Sequence, residues 1–574
     1  MAETSLARMF WNRVEKSALR PAQQLKQHKG WTTLTWREVG EAVREIASGL
    51  VALGRRPGEA VAILSTSRAE WVQADFAIFS VGGVTIPIYP SYPPDLIQYI
   101  VNDAGVKTLI AEDPIQLAKV LEVEASMPNL EQIVIIHGYE GREPSPRIFT
   151  WEAFRRLGRD HADGLKTELA SRVDGIKTDD VATIVYTSGT TGPPKGVVQS
   201  HGNHLSALES AAQTSTIAEG DVHLLFLPLA HSFARLESFI GVHRGLCTAF
   251  AESIDKLREN LPETRPHFIC SVPRVFEKVY AGAMARAEGG SPAKRKIFHW
   301  AVGVGKEVSK LKQAKRPVPG ALAFKYRLAE KLVFSKMQAA LGGRLRFAVS
   351  GGAPLSREIA EFFHAAGILI LEGYGLTETC PVLTNNREDD YKFGSVGKPM
   401  PGVEVKIAAD GEILGRGGNI AQGYFKKPES TREVFLDDGW FATGDIGILD
   451  TRGYLKIVDR KKELIIRGGA NIYPREIEEV LYQHPKVLEA AAVGVPDQRL
   501  GERVCACIVP RPGESVSLEE LVAFLRDKIA TYKLPEFLQL LDALPRTPTG
   551  KVQKGPLRDI VLQRLAPPAS EQPM

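Results

Sequence analysis

VATIVYTSGTTGPPKG, residues 181–196, is the stretch around which the chain reads as organised. Val181 to Tyr186 is a short β-branched and aromatic run, the composition of a buried strand. The hydroxyls of Thr187, Ser188, Thr190 and Thr191 then alternate with Gly189 and Gly192 and lead to Lys195. Glycines let backbone N–H groups converge on an anion, hydroxyls add donors, and the lysine sets a positive charge at the rim. A polyphosphate needs such a cradle.

It is not the Walker A form, which reads G-x-x-x-x-G-K-[ST] and runs directly into a helix. Here Gly196-Val197 follow the lysine, Pro193-Pro194 stiffen the loop, and the next N-cap is Ser200, ahead of a helical His204 to Gln213. Gly, Ser and Thr are common in plain surface turns, and a lone G-T-T-G would be read that way. The full eleven residues from Tyr186 to Gly196 reverse that judgement. They resemble the signature loop of the adenylate-forming, AMP-binding enzymes, which include acyl-CoA synthetases, nonribosomal-peptide adenylation domains and luciferases.

At 574 residues, 44% hydrophobic and 24% charged, the composition is globular and long enough for more than one domain. A formal charge of +4 does not call for nucleic acid. Of five cysteines only Cys505 and Cys507 are close, and on a strand they read as two small buried residues rather than a ligand pair. That pattern suggests a reducing, cytoplasmic location. No apolar run approaches a transmembrane span and no signal peptide opens the chain. Leu6, Met9, Phe10 and Val14 fall at helical spacing and are expected to pack on the core.

From residue 31 to 120 helices alternate with short apolar strands: Trp36 to Gly54, Ala60 to Leu64, Ala69 to Ser80, Val84 to Ile88, Pro94 to Ala104, Thr108 to Ala111. This is the rhythm of a largely parallel, helix-covered sheet, continued by strands at Thr183, Val222, Phe268 and Arg346. His231, in Pro228-Leu229-Ala230-His231, follows a strand, where ligands bind in open α/β sheets. Taken alone it is a packed or solvated residue. The resemblance gives it a part in shaping and gating the carboxylate pocket, since long-chain acyl-CoA synthetases carry a similar segment. Ala234 stands where those synthetases tend to have an acid, so local ion pairing differs. The run Ser271-Val272-Pro273-Arg274 resembles the same subgroup.

A basic segment follows, with Lys294, Arg295, Lys296, Lys306, Lys310, Lys312, Lys315 and Arg316 interleaved with Ile297, Phe298, Trp300 and Val304. A solvated helix face is the ordinary reading. A basic amphipathic helix can also lie on anionic lipid, which would suit peripheral contact with the inner face of the membrane.

Gly351, Gly352 and Ala353 form a turn open to a flat ligand. Glu372-Gly373-Tyr374-Gly375-Leu376-Thr377-Glu378 then sets an aromatic ring for stacking, a hydroxyl for phosphate and a carboxylate for Mg²⁺ in one glycine-rich turn. Asp445, in Thr443-Gly444-Asp445, suits two ribose hydroxyls. The charge run Asp459-Arg460-Lys461-Lys462 reads as a linker. Ile466 stands where some family members carry a lysine serving one half-reaction.

The resemblance implies an α/β fold. A large N-terminal AMP-binding domain of helix-covered sheets would span 1–458, with a small β-rich subdomain at about 394–458. A small mobile α+β domain would span 459–565, followed by a disordered tail at 566–574. It further implies catalytic roles for Lys551, Thr187, Glu378 and His231, with Mg²⁺ held by Thr187 and Glu378. The 187–192 loop, Lys195, the 351–353 and 372–377 turns and Asp445 would bind the nucleotide, with Arg460 on ribose and Lys462 as hinge. Fatty acid, ATP and coenzyme A would be the substrates of a monomer or homodimer. An aryl or short-chain acid ligase is the nearest alternative. A P-loop ATPase lacks its G-K-[ST] here, and a non-catalytic binder would have lost Lys551 or Glu378.

Overall fold

The computed structural model describes residues 3–27, 30–139, 147–187, 193–546 and 552–565. These form two compact units. The first takes in the described chain up to Val405 together with Gly415–Phe441; the second takes in Lys406–Leu414 and the chain from Ala442 onward.

Two large sheets build the first unit. One runs, in spatial order, Gly423–Tyr424, Lys195–Ser200, Val181–Thr187, Val84–Ile88, Ala60–Leu64, Thr108–Ala111, Gln132–Ile135, Ile148–Thr150. It is parallel from Val181–Thr187 to the far edge, and its first two strands are antiparallel. The other has nine strands with a parallel middle, in which Leu369–Tyr374, Phe347–Ser350, Phe268–Ser271 and Val222–Leu225 lie side by side. Central strands such as Ala60–Leu64 are buried on both faces, so they carry unbroken apolar runs rather than alternation. The helix Ala69–Ser80 is largely apolar and buried at every position but Glu70, as a helix enclosed by other elements must be. The N-terminal helix Leu6–Lys16 buries Leu6, Met9 and Phe10, the packing expected of its apolar stripe.

Inside this core sits an ion pair. Arg235 Nη2 donates to both oxygens of Asp75 at 2.8 Å, and its Nη1 donates to Thr183 Oγ1 at 2.5 Å. Thr183 Oγ1 donates to the Thr85 carbonyl, and Thr85 Oγ1 donates to Asp75. All four residues are at most 1% exposed. Removing one member of a buried pair leaves a desolvated charge, which typically costs 3–5 kcal/mol. Asp75→Ala is therefore expected to destabilise the protein by about 3–5 kcal/mol, read as a lowered urea midpoint. An unchanged midpoint would mean that the pair is not holding the core.

The second unit has the sheet order Ala470–Ile472, Ile465–Arg467, Gly501–Pro510, Val487–Asp497, with Phe537–Leu540 beside Gly501–Pro510. Helices Pro474–Leu481 and Leu518–Leu525 contribute to one of its apolar clusters, and Lys554–Leu565 to the other, where Leu557 and Val561 join Cys505 and Cys507. Both cysteines are buried, as their strand context implied. The large α/β N-terminal part and small C-terminal part follow the expected fold class. The hairpin Phe441–Leu449/Leu455–Arg460, expected to belong to the N-terminal domain up to residue 458, falls in the second unit from Ala442 onward. Lys461 binds it back to Asp410 and Glu412 at 2.7 and 2.8 Å. No helix among the described residues is long and apolar enough to cross a membrane.

Candidate active site

The strand Val181–Thr187 turns back antiparallel as Lys195–Ser200, with Thr187 opposite Lys195 and Tyr186 opposite Gly196. The cradle thus joins the two strands of a hairpin, and residues 195–200 form a strand that the surrounding glycine and prolines do not suggest. Val197-Val198 supply the β-branched pair, and Gly196 is required because a Cβ there would lie 2.6 Å from Ile184. Ser200 caps the next helix, in a reciprocal pair with Asn203, but that helix starts at His201. Tyr186 donates to Asp103 at 2.6 Å and Tyr99 to the Pro194 carbonyl at 3.2 Å, fixing both sides of the turn. Ser188, Gly189, Thr190, Thr191 and Gly192 lie outside the described residues.

The short strand Gly423–Tyr424 adds to the hairpin, with Tyr424 opposite Val197. Lys195 Nζ then stands 5.0 Å from the centre of the Tyr424 ring, and the Tyr424 hydroxyl donates to Glu378 Oε1 at 2.8 Å. Burial and the neighbouring Glu378 carboxylate push the Tyr424 hydroxyl far above the usual phenol range, so it remains a donor. Lysine, phenol and carboxylate form one chain, bringing together Lys195 and Glu378, which are 183 positions apart. The backbone under Glu378 is held by Gln199 donating to the Thr377 carbonyl and Ala421 N–H donating to the Glu378 carbonyl. Tyr424 escaped the sequence reading. Its only signal was an aromatic beside a glycine in a β-rich stretch, and nothing local tied it to Glu378.

The glycines of the 372–378 turn serve the protein's own packing. A Cβ on Gly375 would lie 1.8 Å from the Pro381 carbonyl oxygen, and one on Gly373 would lie 2.7 Å from Asn385 Oδ1. Glu372 is buried and accepts from Leu355 N–H at 3.0 Å, holding the end of the 351–355 turn. Gly352 has φ +81, which a side chain resists, and Gly351 faces the Phe233 ring at 3.1 Å from its Cβ position. Phe233 lies in the first turn of the helix Ser232–Arg244, whose N-cap is His231; His231 Nδ1 accepts from Phe233 N–H at 3.2 Å. Acceptance at Nδ1 leaves Nε2 as the protonated nitrogen of the neutral ring. Ala234 is fully buried, and the first turn of this helix carries no acid. Tyr374, mostly buried, ends the strand Leu369–Tyr374.

In the second unit Asp445 and Arg460 face one another across the hairpin, with Arg460 Nε 3.7 Å from Asp445 Oδ1. Gly444 N–H donates to Glu412 at 2.7 Å. Lys462 is exposed in the turn Lys461–Glu463. Lys551 lies outside the described residues, but both flanks of its segment are fastened. Arg546 and Val552 bridge, Gln553 N–H donates to the Pro545 carbonyl, and the half-buried Lys554 sets its Nζ 2.9 Å from Glu478 and 3.2 Å from Glu463. Burial pulls the Lys554 ammonium down, yet Glu478, Glu463 and Asp459 together hold it well above its usual range. Lys554 was also missed, because a lysine in a polar turn reads as solvated.

The sequence pattern described as AMP-binding enzyme matches residues 10–425, and that of the AMP-binding enzyme C-terminal domain matches 476–551. The chain belongs to the AMP-binding enzyme family. Relatives of this AMP-binding enzyme include a long-chain-fatty-acid–CoA ligase of Mycobacterium bovis, 38% identical over 81% of this chain and 76% of the relative. A medium-chain fatty-acid–CoA ligase of Escherichia coli is 30% identical over 94% and 88%. The crystal structure of ATP-bound MatB from Rhodopseudomonas palustris is 26% identical, with TM-score 0.74, over 98% of this chain and 100% of that one.

Proposed function

We propose that this AMP-binding enzyme joins a long-chain fatty acid to coenzyme A at the expense of ATP, releasing AMP and diphosphate. The Lys195–Tyr424–Glu378 chain beside the glycine-rich hairpin carries the reading, because it sets an ammonium and a carboxylate at one polyphosphate cradle. The similarity to long-chain ligases supports the acid class. The fatty carboxylate attacks the α-phosphorus of ATP; the new carboxyl–phosphate bond forms as the bond to diphosphate breaks. The coenzyme A thiolate then attacks the acyl carbon and AMP leaves.

Thr187, the 188–192 loop and Lys195 bind the phosphates, and Gly351–Ala353, Tyr374 and Thr377 border the nucleotide. Asp445 and Arg460 bind ribose, and His231 bounds the carboxylate. Glu378 and Thr187 offer only oxygen donors, the set that Mg²⁺ prefers, and the bound ion would neutralise phosphate charge. Glu372, Gly373 and Gly375 act by holding these turns in shape.

The C-terminal domain turns about Lys462 between the two half-reactions. Proline fixes φ, so Lys462→Pro is expected to spare adenylation and block thioester formation. Diphosphate release and acyl-CoA formation, assayed separately, check this; unaltered overall turnover would argue against a hinge there. The function itself is tested by diphosphate release across aryl, short-, medium- and long-chain acids, with and without coenzyme A. A preference for long chains with AMP and thioester as products is expected. Preference for aryl or shorter acids would favour the alternative ligase, and the Escherichia coli relative keeps the medium-chain case in view.

A further inference from the structure

Residues 292–340 hold twelve Lys and Arg against two Glu, a net charge of +10. The whole chain carries only +4, so all the rest is net negative, at −6. The segment folds as the helix Pro292–Gln313 followed by a second helical stretch, Gly320–Ala329, Glu330–Phe334 and Ser335–Ala340. The two pack through Ala301 and Val304 on one and Ala329 and Phe334 on the other.

That packing uses one face of the second stretch and leaves the opposite face bare. Phe324, Leu328 and Leu332, spaced by four and therefore on one stripe, are 71%, 42% and 42% exposed. Lys325, Arg327, Lys331 and Lys336 flank the stripe, all exposed, and make no ion pair among the described residues. Ile297 and Trp300 are the exposed large apolar residues of the helix packed against it.

We propose that this helical pair is a membrane-docking surface. Its second stretch lies flat on an anionic bilayer, with Phe324, Leu328 and Leu332 entering the boundary between headgroups and acyl chains and the four cations at lipid phosphates. An apolar stripe between rows of cations matches that layered surface, which offers hydrocarbon beneath a sheet of negative charge. Nucleic acid would satisfy the cations but leave the stripe in water. A second copy of this chain would bring another +10 against the first. The surface deepens the proposed function by placing the enzyme where a fatty acid partitions, but docking itself does not require that activity.

The test is co-sedimentation of the full-length protein with vesicles of phosphatidylcholine alone or mixed with phosphatidylglycerol. Binding should require phosphatidylglycerol and fall with added salt. Phe324→Ser with Leu328→Ser, and separately Lys325→Glu with Lys331→Glu, should each reduce partitioning by about tenfold or more. Because these side chains point into solvent, both variants should keep the parent's melting temperature and its diphosphate release with detergent-dispersed acid. Equal binding to neutral vesicles, or undiminished binding by both variants, would overturn the proposal. So would retention on duplex DNA with none on vesicles. Loss of ligase activity with vesicle binding intact would count against the enzyme reading and leave the docking surface standing.

Discussion

Lys551→Ala is expected to lower acyl-adenylate formation by about 10²–10³-fold while leaving thioester formation from supplied acyl-AMP largely intact. The first half-reaction brings a carboxylate up to a triphosphate, so negative charge accumulates where the new bond forms. A preorganised ammonium there favours the transition state over the separated reactants. In the second half-reaction diphosphate has left, and that charge is no longer needed. The described residues on either side of Lys551 are held in place. Arg546 and Val552 bridge, and Lys554 sits locked between Glu478 and Glu463 just beyond. Diphosphate release with acid and ATP, set against acyl-CoA formation from synthetic acyl-AMP, separates the two effects. Equal loss in both would remove the assignment.

Glu378→Gln is expected to depress adenylation by a comparable factor, about 10²–10³-fold, with weaker dependence of the residual rate on Mg²⁺. The substitution keeps an oxygen that accepts from the Tyr424 hydroxyl, so the turn should survive and the melting temperature should change little. What it removes is the anion. Tyr424→Phe is a useful companion, since it breaks the 2.8 Å hydrogen bond yet keeps the carboxylate and the ring beneath Lys195. It should show a much smaller loss. Wild-type adenylation in Glu378→Gln at all Mg²⁺ concentrations would dismiss the carboxylate as a metal ligand.

The central elements were legible because the periodicity of the chain and its burial agree. Ala60–Leu64, Ala69–Ser80, Val84–Ile88, Pro94–Ala104 and Thr108–Ala111 all stand at the bounds that their apolar runs suggested. The phosphate cradle and the 372–378 turn were legible for a different reason: contiguous residues carry the chemistry. Contacts between distant segments were not. Tyr424 reaches Glu378 only because Gly423–Tyr424 pairs with Val197-Val198, and a two-residue strand leaves no periodic trace. Lys195–Ser200 was hidden by the glycine and prolines around it, although its pairing needs only backbone groups. Lys554 looked solvated, because the carboxylates that pair with it come from the 461–463 turn and the helix Pro474–Leu481.

The chain from Arg235 through Asp75 and Thr85 to Thr183 joins the helix opened by His231 to the strand that ends at Thr187. Losing Asp75 or Arg235 alone strands a charge in the interior, whereas losing Thr85 or Thr183 removes only a neutral hydrogen-bond partner of the pair, so the two charged positions are the ones expected to change together. A change at that pair would be felt both at the helix capped by His231 and at the strand that leads into the glycine-rich loop.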